Sequence, residues 1–160
     1  MLAIGARAPE FTLPDADGLA TSLSNLLRDG PLILYFYPSD FTPACTREAC
    51  QVRDLHAELD AAGLTVAGVS PQSPESHRAF RDKYHLPFTL LSDADRFVIK
   101  MYEVQGPFGF GVRRATFLID QARHVQDAVL ADIRIGEHEA FMRKAVALSA
   151  HARSGGRSGS

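Results

Sequence analysis

The chain has two cysteines, and they lie five residues apart, at Cys45 and Cys50. They sit in the stretch Tyr37-Pro38-Ser39-Asp40-Phe41-Thr42-Pro43-Ala44-Cys45-Thr46-Arg47-Glu48-Ala49-Cys50, after the apolar run Leu32 to Phe36 and before a helical pattern. That order reads as strand, loop and helix start. With Thr42 at the N-cap and Pro43 at the first helical position, Cys45 becomes the third helical residue. Free backbone N–H groups and the positive end of the helix dipole lie there, and both favour a thiolate over a thiol. A thiolate attacks electrophiles. The Thr42 hydroxyl, one turn back, is placed to donate a hydrogen bond to a bound oxygen species. These residues alone specify an activated cysteine, which serves several chemistries.

Geometry limits what Cys50 can do. Five residues of helix rise about 7.5 Å and rotate about 140°, which puts the two Cα atoms roughly 8.6 Å apart. A disulfide bridges at most about 7 Å. Cys45 shares the face of Ala49 and Val52, towards the core, whereas Cys50 points away beside Arg53 and Asp54. The pair is therefore separated while reduced and joins only if the first turns unwind.

The elements that must hold this segment follow from apolar patterning. Leu32 to Tyr37, Leu64 to Val69 and Ala115 to Asp120 read as buried strands, and Val125 to Val129 as a weaker one. Phe11-Thr12-Leu13 and Thr21-Ser22-Leu23 read as short strands around an Asp15–Gly18 turn, and Leu90-Leu91 ends a short extended piece. Helices are expected from Pro43 to a stop at Gly63, from a Ser73 cap to Tyr84, over Asp93 to Tyr102, and over Glu137 to Ala150. Strands alternating with helices give an α/β domain, a central sheet with helices on both faces, with the strands at 32 and 64 parallel. One domain over residues 1–150 is expected, and residues 151–160, rich in Ser, Gly and Arg, read as a disordered tail.

At 160 residues, with 46% hydrophobic and 22% charged residues, the composition is that of one ordinary globular domain. A net charge of −2 offers no general attraction to nucleic acid or anionic lipid. No apolar run reaches the length of a membrane span, and the start lacks a secretory profile, so a cytoplasmic protein is expected. In a reducing compartment, two close cysteines suggest transient redox chemistry or metal binding rather than a permanent staple.

Several motifs occur together: Pro38-x3-Thr42-x2-Cys45, the downstream Cys50, and Arg114 before Ala115-Thr116-Phe117-Leu118-Ile119-Asp120. With them come Gly5-x2-Ala8-Pro9-x-Phe11, Gly68-Val69-Ser70, Ser76-His77-x2-Phe80 and Leu86-Pro87-Phe88-x-Leu90-Leu91-Ser92-Asp93. Over roughly residues 3–150 the chain resembles the peroxiredoxins, in particular the Q type, also called bacterioferritin comigratory proteins. The resemblance implies a thioredoxin-like fold and a thiol peroxidase for hydrogen peroxide and organic hydroperoxides, with no metal or organic cofactor. It implies that Cys45 is the peroxidatic cysteine, that Thr42 holds the peroxide and that Pro38 shields the thiolate. Arg114 then stabilises the thiolate and the leaving oxygen. Cys50 resolves the sulfenic acid as an intramolecular disulfide, which thioredoxin or a glutaredoxin-like donor reduces. An intramolecular resolving cysteine needs no partner subunit, so a monomer is expected. Two details depart from the commoner pattern. Ala44 stands where glycine is frequent, and Arg113 adjoins Arg114, with strand alternation expected to send the two to opposite faces.

Blander readings of the same residues remain. A cysteine is often a small buried hydrophobe, and Thr42 serves equally as a simple cap. A thioredoxin-type disulfide reductase would use the closer Cys-x2-Cys spacing. A metal-binding or chaperone-like module would need ligands beyond two thiols. His56, His77, His85, His124, His138 and His151 show no metal spacing, and solvated or capping roles are expected for all six. The glycine-rich Gly106–Gly111 segment reads as a loop at the rim of the site, with Phe41, Phe108 and Phe110 as an apolar approach for organic hydroperoxides.

Overall fold

A computed structural model describes residues 1–109, 111–130 and 136–156 of the chain. Phe110 and the end of the tail, 157–160, lie outside the described residues. A short hairpin opens the fold, β1 (Thr12–Pro14) against β2 (Ala20–Ser22). A five-stranded sheet follows: β3 (Leu32–Phe36), β4 (Thr65–Ser70), β5 (Thr89–Ser92), β6 (Ala115–Ile119) and β7 (Val125–Leu130). Their spatial order is β5-β4-β3-β6-β7, with β3, β4 and β5 parallel and β6 and β7 antiparallel to their neighbours. The helices are α1 (Leu23–Leu26), α2 (Pro43–Ala61), α3 (Pro74–Tyr84), α4 (Phe97–Met101) and α5 (Gly136–Gly156).

The central strand β3 is buried along its whole length and divides its residues between two cores. Leu32, Leu34 and Phe36 pack with Leu23 and Leu26 of α1 and Val98 and Ile99 of α4. Ile33, Tyr35 and Tyr37 pack on the other face with Ala49, Val52, Leu55 and Leu59 of α2, Phe80 of α3 and Phe141, Met142 and Ala145 of α5. The period-2 alternation of the strand thus fills both layers, each fully buried apolar side chain contributing about 1.5–3 kcal/mol. Among the described residues, no helix is long and apolar enough to cross a membrane.

Helix α2 starts and stops as its residues dictate. Thr42 is the N-cap and Pro43 the first helical residue. At the other end Gly63 (φ +79) donates to the Asp60 carbonyl at 2.9 Å and Leu64 to the Leu59 carbonyl at 2.9 Å. This paired closure needs a left-handed residue, which glycine supplies.

Three expectations are corrected. The segment from Asp93 to Tyr102 is helical only over Phe97–Met101, because Arg96 adopts a left-handed φ of 62 and breaks the run. Asp93 instead receives the Val98 and Ile99 N–H groups on its buried carboxylate, at 3.3 and 2.8 Å. Leu23, read as the end of a strand, opens the one-turn helix α1, where the Ser22 hydroxyl caps the Asn25 N–H at 3.1 Å. Finally, α5 runs from Gly136 to Gly156, past the expected helix end at Ala150. Each added helical residue gains a hydrogen bond once the helix is nucleated.

Candidate active site

The loop after β3 carries the chemistry-bearing residues. It leaves the sheet at Tyr37, whose N–H still donates to the Val69 carbonyl at 3.0 Å, and enters α2 at Thr42. The Thr42 hydroxyl oxygen accepts from the Cys45 N–H at 3.4 Å and donates to the Ser39 carbonyl at 3.2 Å. The expected cap is therefore formed, but the hydroxyl proton is turned towards Ser39. A ligand oxygen has to compete for it. Cys45 is 2% exposed, on the Ala49–Val52 face, while Cys50 is half-buried. Both thiols are free. Phe41, just before the cap, has a left-handed φ of 64. For a bulky residue that is a strained conformation, maintained by its surroundings.

Below the loop, buried polar groups from four elements meet. Arg114, immediately before β6, is 6% exposed, and its Nη1 lies 3.8 Å from Glu48 Oε1. Glu48 stands one helical turn after Cys45, on the same side of α2, and is 1% exposed. Its other oxygen lies 3.7 Å from Nε2 of His138 on α5. His138 Nδ1 in turn lies 2.7 Å from the Thr116 hydroxyl, two residues beyond Arg114 on β6. Residues two apart share a strand face, so Arg114 and Thr116 meet α2 and α5 together. Neither Glu48 oxygen accepts a hydrogen bond within the described residues. Burial pushes the Glu48 carboxyl up to about 7, with the Arg114 guanidinium pulling the other way. Tyr35 lies close by. Its hydroxyl is raised well above the usual tyrosine range, first by burial and then by the charges of Glu48 and Cys45. A side chain at position 68 would put its Cβ 2.8 Å from the Tyr35 ring, so Gly68 makes room for that tyrosine.

Pro38 and Arg114 border an open cleft of about 640 Å³ with Gln105, Gly106, Pro107, Gly111, Val112 and Arg113. The glycine-rich segment does form its rim, and Phe108 stands there 97% exposed. Arg113 and Arg114 both border this cleft, Arg114 buried and Arg113 half-buried.

A second buried polar group surrounds Asp40. Its Oδ1 accepts from the Tyr37 hydroxyl at 2.6 Å, and its Oδ2 accepts from the Ser76 hydroxyl at 2.8 Å. His77 Nδ1 lies 2.7 Å from the same Oδ2, and His77 Nε2 lies 3.0 Å from the Leu91 carbonyl oxygen. His77 and His138, read as solvated or capping, are instead 0% and 1% exposed. Glu48 was missed as well. The signal for it was present, since three residues after Cys45 is the same helix face.

The arrangement joins a buried thiol at a helix N-terminus, a capping hydroxyl and a guanidinium braced by a carboxylate, next to a cleft open to small molecules. A large protein disulfide does not reach a sulfur so deeply buried, which disfavours the disulfide-reductase reading.

The chain is similar to known proteins over most of its length. The AhpC/TSA family profile matches residues 4–128. The bcp peroxiredoxin of Coxiella burnetii is 45% identical over 143 residues, covering 86% of this chain and 93% of that protein. A chloroplastic peroxiredoxin Q of Populus jackii is 44% identical over 123 residues, 76% of this chain and 57% of that longer protein. The crystal structure of the peroxidoxin BcpB of Mycobacterium tuberculosis superposes with a TM-score of 0.85 at 34% identity, covering 94% of this chain and 98% of that one. A Xanthomonas campestris bacterioferritin comigratory protein, described for its alkyl peroxide reduction activity, gives 0.79 at 31% identity, covering 89% and 92%. The chain belongs to the AhpC/TSA family, and within it to the peroxiredoxins of the Q, or bcp, type.

Proposed function

We propose that this thiol peroxidase works through Cys45 and Cys50, on hydrogen peroxide and organic hydroperoxides. The Cys45 thiolate attacks the terminal peroxide oxygen. The O–O bond breaks, the leaving oxygen takes a proton to become water or an alcohol, and Cys45 is left as a sulfenic acid. Thr42 turns its hydroxyl from Ser39 to the peroxide. Arg114, braced by Glu48, faces the charge that develops on the leaving oxygen. Pro38, at the mouth of the cleft, keeps bulk water from the sulfur. Cys50 then attacks the sulfenic sulfur, the S–S bond forms, and the departing hydroxide takes up the thiol proton as water. Thioredoxin or a glutaredoxin-like dithiol reduces the disulfide by exchange.

The observation that carries this reading is a fully buried Cys45 at the third position of α2, under the Thr42 cap. Exposed Phe41 and Phe108 at the approaches favour apolar hydroperoxides beside hydrogen peroxide. The cycle closes within one chain, which supports a monomer, and a transient disulfide suits the reducing cytoplasm.

The decisive experiment counts free thiols and intact mass on reduced protein, before and after one equivalent of hydrogen peroxide. Wild type is expected to lose both thiols and about 2 Da within seconds, with no dimer. Cys50→Ser is expected to stop at a sulfenic acid. Thiols that persist for many minutes in wild type would overturn the assignment of Cys45.

A further inference from the structure

The Asp40–His77 contact leaves an imidazole proton to be located. A carbonyl oxygen only accepts, so His77 Nε2 carries a proton towards Leu91. Nδ1 lies 2.7 Å from Asp40 Oδ2, too close for two facing lone pairs, so a second proton lies between them. The two side chains are fully buried and share that proton as one neutral unit. Tyr37 and Ser76 saturate the same carboxylate, so the unit has no loose member.

Its position in the chain is as informative as its chemistry. Asp40 belongs to the loop that presents Pro38 and Thr42, whereas Ser76 and His77 belong to α3. Next to it the Phe41 ring packs edge-on against Phe80 at 5.1 Å and tilted against Tyr84 at 6.4 Å, with Lys83 Nζ 5.7 Å from its centroid. The loop therefore rests on α3 at two consecutive residues, one polar and one aromatic. Joining Cys45 to Cys50 requires the start of α2 to unwind, and the loop leads directly into that start.

We propose that Asp40 and His77 are positioning residues which anchor the peroxide-binding loop to α3. While engaged, the anchor favours attack of Cys45 on peroxide and delays the unwinding that delivers Cys50. This rests on the thiol-peroxidase reading above. Two fates compete for the sulfenic acid. Attack by the Cys50 thiol forms S–S and breaks S–O, and the thiol proton leaves with the hydroxide as water. Attack of the sulfenate on a second peroxide breaks another O–O bond, releases water or alcohol and leaves a sulfinic acid. A tighter anchor lengthens the exposure to the second fate.

The test is chemical-quench mass spectrometry on the full-length reduced protein mixed with graded hydrogen peroxide. It yields the rates of sulfenic acid and disulfide formation, and the peroxide concentration that converts half the protein to sulfinic acid. His77→Ala is expected to attack peroxide about tenfold more slowly and close its disulfide about tenfold faster, with the half-conversion concentration raised at least about tenfold. His77→Asn, which still offers an N–H towards Asp40, is expected to stay close to wild type. Ser76→Ala strips one hydrogen bond from the same carboxylate at a half-buried position, and is expected to move both rates in the same directions by about threefold. Val125→Ala, in the opposite core, is expected to lower stability and leave both rates unchanged. Wild-type rates in His77→Ala or in Ser76→Ala would overturn the anchor, and so would the same shift in Val125→Ala. If wild type itself formed no sulfenic acid or disulfide, the peroxidase reading would fall and the anchor with it. A competent wild type beside an unaffected His77→Ala overturns the anchor alone.

Discussion

Glu48 shows how one side chain can tie stability to pH. Its folded pKa, about 7, lies above the ordinary 4.5 because burial disfavours the carboxylate. The folded protein therefore holds this proton more tightly than the unfolded chain does. The associated stability is complete below about pH 4.5 and is lost as pH rises through about 7. Between those limits the wild type is expected to lose up to roughly 3 kcal/mol from this group, the attraction of Arg114 already included. Glu48→Gln should flatten that slope, measured as denaturant midpoints across a pH series. A slope equal to wild type would show that Glu48 is not the titrating group. The same variant imitates the protonated acid, so its peroxide rate should match wild type near pH 5.5 and fall below it by about tenfold at pH 8, where the carboxylate braces Arg114. Thr42 divides differently. Thr42→Val removes the cap and the donor together, and is expected to cost about 1 kcal/mol of stability and about a hundredfold in peroxide rate. Thr42→Ser should retain most of both. Equal rates for the two variants would reduce Thr42 to a spacer.

At the scale of elements, the proposed cycle stores the redox state in α2. Its two cysteines cannot meet across an intact helix, so oxidation should unwind the segment around Pro43 to Cys50 and leave the rest, from Leu55 on, in place. Hydrogen exchange on the oxidised protein is expected to show loss of protection for amides 46–50 and retained protection beyond Leu55, with no such change in Cys50→Ser. Uniform protection in both forms would mean that the two sulfurs join without unwinding. The start of this helix was legible in the sequence because a cap, a proline and a cysteine act through neighbouring backbone groups. The buried polar groups were not, because their partners are remote. His77 meets Asp40 across 37 residues and His138 meets Thr116 across 22. Local spacing carries no trace of either pairing. The α4 boundary failed for a related reason, since Asp93 caps that helix from five and six residues upstream instead of from the adjoining position.

For the whole molecule, the alternation of strands and helices was sufficient to specify a sheet covered on both faces and the parallel pairing of β3 with β4. It did not specify which face carries the chemistry. That depends on α2 and α5 packing on the Tyr35 side of β3, where Glu48 lies close to both Arg114 and His138. An intramolecular cycle further predicts one sedimenting mass, close to 17.5 kDa, for both reduced and oxidised protein. A doubling on oxidation would place the disulfide between chains. The partition of β3 between two separate cores also bears on how this protein could be engineered. One layer, with Leu26, Val98 and Ile99, counts no residue of 37–50 among its members, whereas the other includes Tyr37, Cys45 and Ala49. Thermostability and turnover can then be adjusted independently. Filling or rigidifying the first layer should raise the melting temperature at constant speed, while an equal gain between α2 and α3 should slow disulfide closure and leave the protein more easily inactivated by the oxidant it consumes.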